Sequence, residues 1–218
     1  MKLQEAGFTT AKSSIDADTL EILRGSIFTA GEAGTRCLLD NPTVKSVAIS
    51  LREDLSSQGL MDKKAIAVQA IAFDKTPSAN WKVTWHQDLM FPFATRTKTV
   101  EYALACVKDG VNYARPPAGI LADMTAVRLH LDDCDEQNGP LRVSPGSHMS
   151  GILKSSEIPE HLARHGEFTC LVKEGEVIMM KVLALHASSL ASSPRHRRVL
   201  HIVYYSGHQT DETWHRTI

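Results

Sequence analysis

Apolar residues at Leu20, Leu23 and Ile27 recur at helical spacing, with acidic residues early in the segment, and predict a helix over Ser14 to Thr29 with Ser14 as its polar cap. A second helix is expected from Asn41-Pro42, with Asn as cap and Pro in the first turn, to Ser57 ahead of Gly59. The N-terminal quarter therefore reads as helical. Beyond Lys64 the pattern changes to short runs of Val, Ile, Thr and aromatic residues, broken by clusters of Gly, Pro, Asn and Asp, which is the signature of strands and turns. Candidate strands are Ala65 to Phe73, Lys82 to Asp88, Met124 to Leu131, Leu141 to Val143, Cys170 to Val172, Val177 to Leu185 and Arg197 to Tyr205. Two segments, Met90 to Gly119 and Leu153 to Glu167, read as loops that could cover something. Helices leading into many irregularly spaced strands predict a mainly β chain, a sandwich with a helical buttress. Residues 1–218 are expected to form one domain, with 1–60 as the buttress and 61–218 as the β core.

Composition narrows the classes of function. Hydrophobic residues make up 43% of the chain and charged ones 22%, an ordinary mixture for a protein with one sizeable core. The formal net charge is -1 with both signs interspersed, so no basic stripe points to nucleic acid. The first residues carry charges and no apolar run, and no apolar stretch is long enough to span a bilayer, so a cytoplasmic protein with no membrane partner is expected. Cys37, Cys106, Cys134 and Cys170 are scattered without a Cys-x-x-Cys pair and read as free thiols.

In Trp81-Lys82-Val83-Thr84-Trp85-His86-Gln87-Asp88, strand alternation puts Trp81, Val83 and Trp85 on one face and Lys82, Thr84, His86 and Asp88 on the other. A histidine and an aspartate two apart on a strand project in parallel, which lets one imidazole nitrogen and one carboxylate oxygen meet the same ion. Far along the chain, His186 ends an apolar strand and is followed by a loop and Arg195-His196-Arg197-Arg198. Two histidines and one carboxylate form the facial triad of non-haem Fe(II) oxygenases, which leaves coordination positions open for a 2-oxo acid and dioxygen. The far carboxylate of such an acid needs a fixed cation, and arginine suits it because its planar fork pairs both oxygens and keeps its charge.

The chain resembles the phytanoyl-CoA dioxygenase family of Fe(II)- and 2-oxoglutarate-dependent oxygenases. The resemblance rests on Phe73-Asp74-Lys75, on Asn80-Trp81 through His86-Gln87-Asp88, on Arg128 through Asp133, on Asn138-Gly139-Pro140-Leu141 through His148, and on His186 through His201. It implies a double-stranded β-helix, a jelly roll of the cupin kind. It further implies His86, Asp88 and His186 as iron ligands, Arg197 as the 2-oxoglutarate arginine, and Ser188 as a hydroxyl beside it. Arg198 is the rival, and alternation with His201 sends one of the two arginines away from the iron. Fe(II), 2-oxoglutarate and O2 would then serve the hydroxylation of a small-molecule substrate, with release of succinate and carbon dioxide. In related halogenases a small residue replaces the carboxylate, so Asp88 implies hydroxylation over halogenation. Val203 departs from the family, many of whose members are expected to carry an acidic residue there.

Blander readings stand beside these. Lys82 and Thr84, on the ligand-bearing face, are candidates for the cosubstrate pocket wall, a placement that a solvated strand face explains equally well. His161 and His165, four apart, lack a glutamate between them and read as a solvated helix face. His130 and His201 read first as hydrogen-bonded core histidines and second as pocket lining. Asp132, Asp133, Asp135 and Glu136 fit no calcium loop and read as a solvated run. Pro145-Gly146-Ser147-His148 reads as a turn that positions a strand end. For the whole chain the alternative is a non-catalytic jelly-roll module that binds a metal or small ligand. A monomer or small homo-oligomer is expected.

Overall fold

The computed structural model describes residues 2–29, 32, 34–208 and 210–218. Among these residues five α-helices, α1 (Leu3–Ala6), α2 (Ala17–Ser26), α3 (Pro42–Ser57), α4 (Ala118–Ala122) and α5 (Ile158–His165), accompany thirteen strands. These are β1 (Phe8–Lys12), β2 (Gly34–Thr35), β3 (Ile66–Lys75), β4 (Val83–His86), β5 (Phe91–Phe93), β6 (Ala103–Lys108) and β7 (Val111–Arg115), then β8 (Met124–His130), β9 (Leu141–Val143), β10 (Phe168–Cys170), β11 (Glu176–Lys181), β12 (His186–Ser188) and β13 (Arg197–Tyr205). The result is a jelly roll. A six-stranded sheet ordered β1-β11-β8-β13-β3-β2 faces a four-stranded sheet ordered β10-β9-β12-β4, and β5-β7-β6 form a third, smaller sheet.

The helices form as their sequence signals predict, with one shift. Asn41 caps α3 by accepting from the backbone N–H groups of Thr43 and Val44 at 3.0 and 3.1 Å, and Pro42 opens the first turn without losing a hydrogen bond. The cap of α2 is Asp16 in place of Ser14: its carboxylate accepts from Thr19 N at 2.7 Å, while Ser14 N is taken by Asp54. Val44, Val47, Ala48, Leu51 and Leu55 make the buried stripe of α3. That stripe, with Leu20, Leu23 and Ile27 of the α2 region, packs on one face of the large sheet against Ala70, Ala72, Val127, Leu129, Leu200, Ile202 and Tyr204. The Tyr204 hydroxyl donates to Ala48 O at 2.7 Å and ties strand to helix.

The other face of the same strands looks into the roll. Alternation puts Ile71, Phe73 and Lys75 of β3, Arg128 and His130 of β8, and Arg197, Val199 and His201 of β13 on it. The antiparallel register sets Arg197 against Lys75, Val199 between Phe73 and His130, and His201 between Ile71 and Arg128. Val203, where an acidic residue was expected in relatives, is fully buried in the apolar cluster on this side.

Three expectations are corrected. The N-terminal quarter is not all helical, because β1 pairs with β11 and closes one edge of the large sheet. The segment from Met90 to Gly119 folds as β5, β6 and β7, with Phe93 stacked on Trp214, and Leu153 to Glu167 carries α5. The apolar run from Val177 is too long for one strand: β11 stops at Lys181, and Val182 to Leu185 turn a corner inside the protein, so the chain passes from the large sheet to the small one before His186. No helix among the described residues is long and apolar enough to cross a membrane.

Leu51 is fully buried between α3 and the sheet. Leu51→Ala is expected to lower unfolding stability by about 2–5 kcal/mol, as read by the urea midpoint, since the neighbouring strands cannot close on the space left.

Candidate active site

Between the two sheets lies a cavity of about 490 Å³. His86, Asp88, His186, His201, Ser188, Arg197 and Arg128 line it, together with apolar residues such as Phe73, Trp81, Leu89, Met90, Leu104 and Leu141. His86 and His186 are direct partners across β4 and β12, with ring centroids 4.2 Å apart. Asp88 follows β4, where its backbone N–H donates to Val182 O at 3.0 Å. One donor atom from each of His86, Asp88 and His186 lies within 4.8 Å of the others, and Asp88 Oδ1 is 3.7 Å from Nε2 of both histidines.

Both histidines are aimed by the backbone. His86 Nδ1 donates to Thr84 O at 2.8 Å and His186 Nδ1 to Ala184 O at 3.0 Å, so in each ring the Nε2 lone pair faces the shared point. Burial lowers the His186 pKa to about 4, which keeps that ring neutral and able to donate its lone pair at neutral pH. Burial opposes ionisation of Asp88, yet His186, His201, His86 and Arg128 together outweigh it and hold the carboxyl below its ordinary range. Asp88 Oδ2 is buried without a hydrogen-bond partner. Two imidazole nitrogens and a carboxylate oxygen converging on one point form a donor set that could hold a divalent ion of the iron type.

Gln87, which separates His86 from Asp88, and Ser147, in a distant turn, also have structural work. Gln87 donates to Leu183 O and Gly151 O, each at 2.7 Å, and accepts from Leu153 N at 2.9 Å. Ser147, in the predicted turn, accepts from Leu185 N at 2.8 Å and donates to Ser144 O at 2.6 Å, which fixes the approach to His186.

Lys82 and Thr84 are not in the cavity; both are exposed. The reason is an irregularity in the small sheet: His86 pairs with His186 but Val83 pairs with Ser188, three residues of β4 against two of β12. The extra residue reverses the facing of everything before it, so Trp81 and Val83 line the cavity in their place. Trp85 lies under the Arg142 guanidinium at 5.3 Å.

Arg197 is buried, lines the cavity, and donates through Nη1 to Gly139 O, while its Nε has no partner. Arg198 lies on the opposite face, where Asp132 accepts from its Nε and Nη2 at 2.9 and 2.7 Å. Ser188 is buried in the cavity wall and accepts from Lys75 Nζ at 3.2 Å. Lys75 was quoted in the family motif without a role, and it reaches the cavity wall through Ser188. Its ammonium also donates to Ser189 O at 2.6 Å and lies 5.6 Å from the Trp81 ring, and burial, followed by the nearby Arg197 charge, lowers its pKa from 10.5 to about 8. The available signal was a lysine ending an apolar strand whose partner in the register is Arg197.

His201 lines the cavity with Nε2 3.8 Å from Asp88 Oδ2, and Arg128 Nη1 donates to its Nδ1 at 3.0 Å. His130 is buried beside them, with no hydrogen-bond partner at either ring nitrogen, in contrast to the bonded core histidine expected. His161 and His165 stack on α5 away from the cavity, and Asp132, Asp133 and Asp135 are engaged with Arg198, Lys173 and Arg195. Among the described residues no other group of histidine, cysteine or acidic side chains converges in this way.

The pattern of the family described as phytanoyl-CoA dioxygenase (PhyH) matches residues 36–199. No curated protein matches the chain. Among solved structures it is similar to EctD from S. alaskensis with 2-oxoglutarate and 5-hydroxyectoine, at 17% identity and a TM-score of 0.65 over 94% of this chain and 73% of that one. It is also similar to AviO1 from Streptomyces viridochromogenes Tue57, at 16% identity and a TM-score of 0.65 over 97% and 95% of the two chains. HygX from Streptomyces hygroscopicus, solved with nickel and 2-oxoglutarate, is 13% identical with a TM-score of 0.63 over 96% and 86%.

Anaerobic titration with Fe(II) or Mn(II) is expected to find one ion bound per chain. Asp88→Ala and His186→Ala should each weaken binding by at least about tenfold, the lower end of what even an orienting partner costs a metal site. Retained melting behaviour in the same variants would separate this loss from unfolding.

Proposed function

Because the chain belongs to the phytanoyl-CoA dioxygenase family, we propose that it is an Fe(II)- and 2-oxoglutarate-dependent oxygenase that hydroxylates a small molecule, with His86, Asp88 and His186 as the iron ligands and Arg197 as the anchor of 2-oxoglutarate. The observation that carries this reading is the convergence of the three donors in the wall of a cavity that a buried, incompletely paired arginine also lines. Iron bound there, with 2-oxoglutarate and O2, supplies the oxidising power to insert one oxygen atom into a C–H bond while 2-oxoglutarate becomes succinate and carbon dioxide.

The protein's own part is to bind, orient and shield. Thr84 O and Ala184 O hold the two imidazoles in one tautomer. Arg128 accepts no proton role; its N–H fixes His201, whose Nε2 then faces the outer oxygen of Asp88 and steadies the carboxylate. Arg197 and Ser188 present a guanidinium and a hydroxyl to one end of the cavity, and the Lys75 ammonium donates to that hydroxyl, a set that matches the distal carboxylate of 2-oxoglutarate in charge and in donors. Asp88 keeps chloride from taking a place among the ligands, which favours hydroxylation over halogenation. The rival reading, a binding module without catalysis, leaves the buried Arg197 without a reacting anion to serve. Consumption of 2-oxoglutarate with matching succinate by the Fe(II)-loaded protein tests the choice, and absence of turnover across a metabolite library would overturn the oxygenase.

Arg197→Ala should weaken 2-oxoglutarate binding by about a hundredfold or more, because a desolvated partner is typically worth about 3–5 kcal/mol and about 1.4 kcal/mol is a factor of ten. Arg198→Ala, which touches Asp132 on the far face, should leave the affinity nearly unchanged in the same calorimetric titration.

Lys75 adds a pH dependence. Its lowered pKa of about 8 means that the charged form is present below that pH and is lost as pH rises through it. Affinity for 2-oxoglutarate should therefore fall above about pH 8 in the wild type and stay flat in Lys75→Met; an unchanged profile would remove Lys75 from the site.

A further inference from the structure

Arg128 has a charge that the proposed chemistry does not use. Its side chain is buried, with the residue 8% exposed, and it lines the cavity from β8, facing His201 of β13. Its only hydrogen bond among the described residues is from Nη1 to the neutral His201 ring; Nε is buried without a partner, and Cζ lies 5.7 Å from the Phe73 ring. Among the described residues no carboxylate pairs with it, and Asp88 approaches His201 at Nε2, the ring nitrogen that Arg128 does not touch. Arg24, Arg142 and Arg198, by contrast, each have an acidic partner. A guanidinium taken out of water without an anion is costly, and the cost is recovered when an anion arrives. Burial and the repulsion of Arg197 lower its pKa only to about 10, so it stays charged at neutral pH.

The charge count extends the point. A divalent iron and the 2-oxoglutarate dianion cancel each other, and Asp88 is then the one acid among the cavity-lining residues against two arginines. Positive charge remains. Arg128 and Arg197 start from different rows of the sheet. The two lie in rows of the sheet four residues apart along β13, roughly 13 Å at about 3.4 Å per residue. Beyond Arg128 the cavity continues along β3 to Ile71 and Gln69, away from Lys75 and Arg197, and its remaining wall is largely apolar.

We propose that Arg128 determines the substrate class of this site: the primary substrate is a small molecule with a carboxylate that pairs with Arg128 and an apolar body that packs on Phe73, Leu89, Met90, Leu104 and Leu141. This rests on the oxygenase reading, which assigns Arg197 to 2-oxoglutarate. The carboxylate anchors one end of the molecule beside His201, and the apolar wall positions the rest over the open side of the metal site.

The test uses the whole protein loaded with Ni(II) and 2-oxoglutarate, titrated calorimetrically with butanoate, hexanoate and octanoate, each against its primary amide. A charge-assisted hydrogen bond is typically worth about 1.5–3 kcal/mol, so at one chain length or more the acid should bind about tenfold tighter than its amide. Arg128→Gln should erase that preference while 2-oxoglutarate affinity stays within about threefold, and Arg128→Lys should keep part of it. If Arg128→Gln does not fold, the acid-against-amide comparison in the wild type and in Arg128→Lys still decides. The proposal is overturned if no acid is preferred to its amide. It is equally overturned if Arg128→Gln leaves the preference intact and weakens 2-oxoglutarate by about tenfold or more, which would assign the residue to the cosubstrate. Failure of the wild-type, Ni(II)-loaded protein to take up 2-oxoglutarate would instead remove the oxygenase reading and this inference with it.

Discussion

The pairing of β4 with β12 is the contact from which the rest of the site follows. It sets His86 directly against His186, and Asp88, two residues further on, projects to the same point, while the extra residue in β4 lies before His86 and reverses the facing of what precedes it. A regular ladder would put Lys82 and Thr84 in the cavity wall and leave Trp81 in solvent. With the irregularity, an indole covers the end of the cavity near Lys75, and the two polar side chains stay in water, where they cost nothing. The hydrogen bond from Asp88 N to Val182 O locks this arrangement to the corner where the chain changes sheets.

The large sheet separates two jobs by face. Toward the helices it is Val, Leu, Ile and Ala, and the stability of the fold is concentrated there, in side chains of which many are wholly removed from water. Toward the small sheet the same strands carry Lys75, Arg128, His130, Arg197 and His201, several with polar atoms that lack protein partners. Each is a cost that the apolar face must cover before any ligand is present. Ligands that meet those atoms are bound with the free energy so stored, and by linkage they stabilise the fold as well.

Much of this was legible in the chain, and what was not has identifiable causes. The cap at Asn41, the α3 stripe and the extent of β13 follow from local rules, because the deciding interactions lie within a few residues. His86, Asp88, His186, Arg197 and Ser188 could be singled out because parallel projection and ordered motifs survive in sequence, and the structure brings all five to one cavity. Lys82 and Thr84 were misplaced because an irregularity in pairing is a property of two strands about a hundred residues apart, and alternation along one strand carries no trace of it. β5 to β7 escaped notice for a related reason: β6 is largely exposed, so it lacks the alternation that burial of one face imposes. Lys75 and Arg128 were readable only as charges inside apolar strands, and their meaning comes from the neighbours that the register gives them.

The segment Asn138-Gly139-Pro140 shows how closely fold and site are bound together. Gly139 has φ of 62°, a conformation that glycine adopts freely, and a Cβ at that position would come within 2.8 Å of Ser189 O and 3.1 Å of Lys75 Nζ. Its carbonyl receives Arg197 Nη1, and Ser189 O receives Lys75. Two neighbouring backbone carbonyls thus hold the two cations that repel one another, Arg197 in the cavity wall and Lys75 against the Ser188 hydroxyl. A side chain at 139 would press on Ser189 O and the Lys75 ammonium together, so the backbone shape of this turn sets where both cations stand and is not merely a connection between β8 and β9.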